Sequence, residues 1–491
     1  NDLNELACQS IQDLQRFKGI GKVKAVIIQA ALELAKRRSF ESGHEVKLIT
    51  NSKDAYQVLA PHLINLNQEE FWIVLTNRSN KVIAKKCVSR GGISQLLVDF
   101  RIILKYAIEN LASGLILGHN HPPLIQKVSE VIQGEGIGTG WTSEWEIKSA
   151  ELIIRHMKNV DMVRFFQSGT EADMAAIRLA RAYTGKTKLL RIGGSYHGWA
   201  DEFVYDMQVP YSETFQTQGI PEQHFSNVIS VGPGDVEALE QAFERAENEG
   251  GVAALIVEGA GCEAGAIPFH PDFYRTCREL CDSHESLFIL DEVVTGFRLT
   301  MGGAQEFYGV DADLSVLGKI ITHGFPSAGA LGGKKEIMEC LAGLDPARPK
   351  PFVAGTMAGN AISTAATYWT LRYIEEKGAI PKATAAAEKL SQGLNDLFES
   401  MGRPFFSYNI GSIIHYETAG PLTVDIRREG GIVNALARKK AVDDLATALL
   451  AEGIVSKYGN RAFTCMEHTD EELKLTLRAF EKCVGMMQQQ G

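Results

Sequence analysis

The sequence predicts an α/β protein whose larger part is a mainly parallel sheet covered by helices on both faces. Three observations predict this sheet and a second, separate part beside it. The chain has 491 residues, more than one ordinary core organises, so two to four domains are expected. Short apolar runs such as "GGVAALIVEGAG" and "LFILDEVVTGF" each follow a stretch with helical spacing, which is how parallel strands alternate with their crossover helices. Charge is uneven: residues 1–122 hold 16 Lys and Arg against 11 Asp and Glu, a net of +5, while the whole chain stands at −10, leaving −15 for the remainder.

Composition narrows the class. With 45% hydrophobic and 22% charged residues, no low-complexity tract and no apolar run of bilayer length, the chain reads as a globular protein that does not span a membrane. It opens with neither an export signal nor an initiator Met, which points to the cytoplasm and to a fragment or a joined reading frame. Of the eight cysteines only Cys277 and Cys281 lie one helical turn apart, a spacing of neither zinc nor redox sites, so reduced packing thiols are expected.

In chain order, "LQRFKGIGKVKAVIIQAALELAKRR" has helical apolar spacing on both sides of Gly19-Ile20-Gly21. The glycines permit a tight turn with exposed N–H groups beside Lys18, Lys22 and Lys24, suited to gripping a phosphate backbone without reading bases. Residues 16–24 are therefore the place for weak, nonspecific DNA binding; a plain helical hairpin with a solvated basic face reads equally well. "EEFWIVLTNRSNKVIAKKCVSRGG" gives two strands around an Asn-Arg-Ser-Asn turn, and "LLVDFRIILKYAIENLASGLILGHNHP" gives a helix leading into a strand.

Together these segments resemble the RadC family: a helix-hairpin-helix over 1–40 and a JAB/MPN domain, related to metal-dependent isopeptidases, over 41–122. The resemblance implies a zinc site of the form HxHP…SxxD. His119, His121 and Ser129 match it, but Ile132 stands at the aspartate position and Pro123-Leu124 replace the family's Ser-Gly. An alkyl chain cannot ligate zinc, so a truncated domain with unpaired sheet edges and no metal is expected. Glu70 holds the place of the upstream acid; a strand-edge charge is the simpler reading.

Beyond this point "PPLIQKVSEVIQ" spaces Leu124, Val128 and Val131 on one helical face, giving a connecting helix and turn over 123–149. Four polar signals then stand at strand ends, where sites of such sheets lie. "FFQSGTEADMAAIRLARAY" opens a helix, with apolar face Met174, Ile177 and Ala180 or Arg181, on Ser168-Gly169-Thr170, an anion cradle or simply a cap. "LLRIGGSYHGWAD" presents Tyr196-His197-Gly198, an aromatic that can stack on a flat ring or just pack. "FILDEVVTGFR" ends a strand on Asp291, whose burial asks for a cation such as a protonated pyridine nitrogen. "DLSVLGKIITHGFP" places Lys319 after an apolar strand; desolvated, such a lysine can form a Schiff base, and otherwise it is a surface charge.

With "SGTEADMAAIRLARAYTGK", "GGSYHGWAD", "DEVVTGFR", "LGKIITHGFPSAGALGG" and "GTMAGNAISTAA", residues from about 117 onward resemble class III, fold type I pyridoxal-phosphate aminotransferases, and within them the glutamate-1-semialdehyde aminomutase branch. The resemblance implies a cofactor-binding large domain over 150–385, a small α+β domain over 386–491, a homodimer, and a small-molecule amino substrate. It implies pyridoxal 5'-phosphate with Lys319 as Schiff-base lysine and proton shuttle, and Asp291 on the pyridine nitrogen. Val293 and Tyr196 would face the two sides of the ring. Ser168, Gly169 and Thr170 would hold the phosphate, joined by Thr356 of the partner subunit.

Two departures leave the reaction open between transfer to a keto acid and intramolecular amino exchange. Ile321-Thr322-His323-Gly324 replaces the branch's glycine-rich turn, and "VEGAGCEAG" puts Glu263 where ordinary class III aminotransferases carry acids. Both families share "LGHNHP", and the residues that precede it in the aminotransferases are replaced here by the RadC-like segment. The sequence thus reads as a chimera joined at that string, with activity expected to be impaired. A RadC-like DNA-associated module with a non-functional zinc site, and a non-functional fusion, are the alternatives.

Overall fold

The computed structural model describes residues 141–207, 217–343, 345–418, 431–457 and 459–487, and before them 70–77, 79–90, 114–119 and 122–135 with part of 14–62 and residues 106 and 110. The chain divides into two compact units, residues 1–126 with 450–454, and residues 127–449 with 455–491. Among the described residues no helix is long and apolar enough to cross a membrane.

In the first unit β1 (Glu70–Thr76) pairs antiparallel with both β2 (Val82–Arg90) and β3 (Gly114–His119), in the order β2-β1-β3. β1 is apolar on both faces: Val74 packs with Ile49, Val58 and Leu59, whereas Phe71, Ile73 and Leu75 pack with Ala84, Val88 and Tyr106. The turn between β1 and β2 is fixed by Asn77, whose Oδ1 accepts the N–H groups of Ser79 (2.9 Å) and Lys81 (3.0 Å), with Asn80 in the left-handed region. Both β2 and β3 are edges of this sheet among the described residues. In the basic hairpin Gly21 precedes a helical stretch at 22–28, while Lys18 and Gly19 lie outside the described residues.

α1 (Pro122–Glu135) buries Leu124, Val128 and Val131, the spacing expected of it, and leaves Ile132 exposed. α2 (Glu144–His156) starts inside the segment expected as a turn, because Ser143 caps it by accepting the Glu146 N–H.

The second unit is built on a seven-stranded sheet of β4 (Met162–Phe166), β5 (Lys188–Ile192), β6 (Val228–Val231), β7 (Val252–Glu258), β8 (Leu287–Glu292), β9 (Leu314–Gly318) and β10 (Gly329–Gly333), ordered β4-β10-β9-β8-β7-β5-β6. Pairs from β6 to β9 are parallel; β10 runs antiparallel to both of its neighbours. Successive residues alternate between two cores. Leu189, Ala254 and Ile289 face α3 (Gly169–Thr184), whereas Leu190, Leu255 and Phe288 face α4 (Val236–Glu247) and α5 (Pro271–Ser283).

α3 corrects one expectation. Met174 is exposed, and the buried face is Ala172, Ala175, Ala176, Leu179 and Ala180 with Ile177. These small side chains let the helix lie close against the sheet, while α6 (Lys335–Ala342) packs on it as well.

α7 (Ala361–Lys377) packs on α2. α8 (Ala379–Ser400) runs unbroken through the expected division at 385/386. It covers a three-stranded sheet of β11 (Phe406–Ile410), β12 (Ile413–Glu417) and β13 (Arg461–Phe463), together with α9 (Asp470–Met486), which starts on a capping box of Thr469 and Glu472.

Candidate active site

The carboxyl ends of β4, β5, β7, β8 and β9 converge on one place. After β4, Ser168 caps α3 by accepting the Glu171 N–H at 3.3 Å, so the helix start presents its N–H groups there. Close approach explains the glycines. A Cβ on Gly169 would fall 2.7 Å from Val293 Cγ2, one on Gly318 would fall 3.0 Å from Val293 Cγ1, and one on Gly198 would fall 2.2 Å from Thr170 Oγ1. Thus Val293 is wedged between the start of α3 and the end of β9, and the Tyr196-His197-Gly198 loop lies against Thr170.

That loop is held from beneath. Arg191 on β5 is fully buried and donates to the carbonyls of Ser195, Phe203 and Tyr205; burial pulls its pKa down to about 10. At the end of β7, Glu258 accepts the N–H groups of Tyr196 (2.9 Å), Glu263 (2.8 Å) and Ala264 (2.8 Å). Burial, reinforced by the Asp291 charge, pushes Glu258 up to about 8. Tyr196 is 42% exposed.

Asp291, at the end of β8, is buried with Oδ2 2.7 Å from His197 Nδ1, while its Oδ1 accepts the Val293 N–H at 2.9 Å. Burial lowers the pKa of His197, against the opposing hydrogen bond and charge of Asp291. A neutral imidazole donating Nδ1–H to Asp291 satisfies both. Next to Asp291, Glu292 accepts from Thr295 Oγ1 (2.5 Å) and from the Ala304 (2.8 Å) and Gln305 (3.2 Å) N–H groups, and burial raises it to about 7.

Lys319 follows β9 directly and is exposed, with φ at 46°, a left-handed conformation that a side chain adopts only at a cost of about 1 kcal/mol or more. The turn that replaces the glycine-rich one is closed by its own residues. Ile321 is buried, Thr322 Oγ1 donates to the Phe325 carbonyl at 2.7 Å, and His323 and Gly324 take positive φ.

On the far side, Arg461 of β13 is buried and pairs with Glu263, its Nη2 3.0 Å from Oε2 and its Nη1 bonded to the Glu263 carbonyl. Glu263 and Ala264 both adopt left-handed φ to make this turn. Thr356 lies exposed in the turn that precedes α7, next to Gly355, which faces Gln167 and Glu171.

Ser168, Gly169, Thr170, Tyr196, Asp291, Val293 and Lys319 are therefore neighbours in space. Sequence reasoning gave no part to Arg191, Glu258, Asp173 or Arg461. The signal for the first two was a charge set against an apolar run, Arg191 after Leu189-Leu190 in "KLLRI" and Glu258 closing "VAALIVE". In the RadC-like segment the His119 backbone pairs with Phe71 at the end of β3, and His121 lies outside the described residues.

An exposed lysine amine, a buried carboxylate on the adjacent strand, an open helix N-terminus and an aromatic side chain, all at the carboxyl edge of this sheet, define a fold type I pyridoxal-phosphate enzyme. The residues fit that cofactor: Gly169 lacks the Cβ that would strike Val293, and Asp291 lies buried, hydrogen-bonded to His197 and to the Val293 N–H and paired with no lysine or arginine among the described ion pairs.

The sequence matches the aminotransferase class-III family over residues 110–484, and the chain belongs to that family. It also matches the RadC-like JAB domain over 49–130, close to the expected 41–122 but reaching past Pro122. The two matches overlap at 110–130, the stretch that contains "LGHNHP".

Among curated relatives, a glutamate-1-semialdehyde 2,1-aminomutase 2 of Brevibacillus brevis is 36% identical over 385 residues, covering 74% of this chain and 83% of the relative. A glutamate-1-semialdehyde 2,1-aminomutase of Methanopyrus kandleri is 37% identical over 395 residues, covering 79% and 88%. An omega-transaminase from Sphaerobacter thermophilus superposes with a TM-score of 0.66 at 26% identity, covering 75% of this chain and 84% of its own. A glutamate-1-semialdehyde aminomutase from Pseudomonas aeruginosa PAO1 shares the fold, with a TM-score of 0.65 at 22% identity over 93% and 98% of the two chains.

Proposed function

We propose that this chain moves an amino group to or from a carboxylate-bearing amino acid or amino aldehyde, using pyridoxal 5'-phosphate held by Lys319. The observation that carries the reading is the buried Asp291–His197 pair beside the exposed Lys319, on strands that are neighbours in the sheet. When bound, the cofactor supplies an electron sink for the carbon that loses a proton. Lys319 Nζ anchors the cofactor and then carries the proton between carbons. Asp291 holds the proton on the pyridine nitrogen, and its bonds to His197 and Val293 fix the carboxylate's direction. Ser168, Gly169 and Thr170 bind the phosphate at the start of α3, joined by Thr356 of the partner subunit in a homodimer. Val293 and Tyr196 enclose the ring.

The substrate class comes from Arg461. A buried guanidinium neutralised by Glu263 is a carboxylate site already built, and a substrate acid can replace the Glu263 side chain there. This serves an amino-acid donor with a keto-acid acceptor, and it equally serves the substrate named for the aminomutase relatives.

Titrating purified protein with pyridoxal phosphate tests the reading. Wild type should develop a visible band that an amine donor quenches and that Lys319→Ala lacks; absence of a lysine-dependent band overturns it. Turnover of glutamate-1-semialdehyde without any keto acid assigns intramolecular exchange, and a strict keto-acid requirement assigns transfer.

A further inference from the structure

Asp173 is buried on α3, one turn beyond Thr170, within the stretch "TEADMAAI". Its Oδ1 has no hydrogen-bond partner, and neither has Nε2 of the buried His197. One polar atom from each of Asp173, His197 and Asp291 lies within 4.8 Å of the other two. Two ionised carboxylates so close and away from water repel strongly, and one of them keeps its proton. Asp291 already accepts from His197 and Val293, whereas Asp173 has an orphan oxygen and is the weaker acid of the two, the one on which the proton stays.

The charged and titratable groups around Asp173 are Asp291 on β8, Glu258 on β7, His197 in the loop after β5, and Lys319 beyond β9. Burial is the largest influence and raises its pKa well above the ordinary range; Asp291 and Glu258 act in the same direction and Lys319 against them.

We propose that Asp173 is a positioning acid, which stands protonated beside His197 and Asp291 and offers its O–H to His197 Nε2 through one bridging water. This bridge fills both orphaned positions. It fixes the imidazole with Nδ1–H toward Asp291, and it leaves Asp291 as the charged carboxylate of the cluster, aimed at the pyridine nitrogen. The inference rests on the cofactor assignment above for its last step; the protonation of Asp173 belongs to the protein alone.

The test compares full-length wild type with Asp173→Asn and Asp173→Ala. In cofactor-free protein, a carboxyl whose folded pKa is raised binds more protons folded than unfolded, so its contribution to stability falls as pH rises above the unfolded value. The melting temperature of Asp173→Asn, which has no such proton to lose, should therefore gain on wild type steadily from pH 5 to pH 8. A gap that stays constant, or that closes with rising pH, overturns the protonated state.

In the loaded protein, Asp173→Ala should shift the pH midpoint of the lysine-dependent band and weaken the cofactor about tenfold, with Asp173→Asn restoring most of both. If both variants keep the wild-type midpoint and affinity, the positioning role fails. If wild type gives no lysine-dependent band, the cofactor reading fails and the positioning role with it, while the melting series still decides where the proton is.

Discussion

Two of the three described sheets, β2-β1-β3 and the seven-stranded one, each lead to a histidine at a strand's end, and they differ in the residue that stands where a partner carboxylate belongs. β3 ends on His119, and the position where a zinc-holding carboxylate belongs, thirteen residues on by "HxHP…SxxD" spacing, carries the exposed Ile132. β5 leads to His197, which meets Asp291 from a strand 94 residues further along the chain, both buried and bonded at 2.7 Å. A histidine acquires chemistry from the carboxylate a second element brings to it. The larger sheet brings one because parallel crossovers return each strand's carboxyl end to the same edge.

The comparison can be broken or sharpened at several points. The largest effect belongs to Lys319→Ala, which should lower turnover by about a thousandfold or more and abolish the visible band of the loaded protein, as stopped assays and spectra read. Asp291→Ala should lower turnover about a hundredfold and weaken cofactor binding, measured by equilibrium dialysis, since it removes the pyridine-nitrogen partner. Arg191→Met leaves the carbonyls of Ser195, Phe203 and Tyr205 without their donor and should destabilise the protein by about 2–3 kcal/mol in urea unfolding.

A smaller effect follows from buried acids. Glu258 and Glu292, raised to about 8 and about 7, hold protons in the folded state that the unfolded chain has released. Cofactor-free protein should therefore melt progressively lower as pH rises from 5 to 8; a flat or rising profile contradicts the burial argument. The smallest effect is expected of His119→Ala. Turnover and zinc content by atomic absorption should match wild type, and a stoichiometric zinc lost on this substitution would erase the contrast between the two sheets.

The site was legible in the sequence where a polar residue interrupts a strand's apolar run at its carboxyl end: Asp291 after "FIL" and Lys319 after "SVLG" stand where the signals placed them. Gly169 and Gly198 were legible as turn residues, though not the side chains that forbid a Cβ there. Asp173 was hidden because one charge in a helix ordinarily faces solvent, and only the packing of α3 against the sheet turns it inward. Arg461 was hidden differently. Its partner Glu263 is 198 residues away, in a turn whose left-handed φ at Glu263 and Ala264 no local residue preference announces. Helix borders were the least legible, since α2 starts at a serine cap and α8 continues past 385 on helix-forming "ATAAAEKL".

Val293 touches the glycine at each end of the site, so volume there is shared among positions 169, 293 and 318. In a randomised library these three codons should not vary independently. Alanine at 169 becomes acceptable where 293 has shrunk, so that clones carrying Gly169→Ala with Val293→Ala outnumber those carrying Gly169→Ala alone. Selection would then reveal as statistical linkage what the fold enforces as a single shared space.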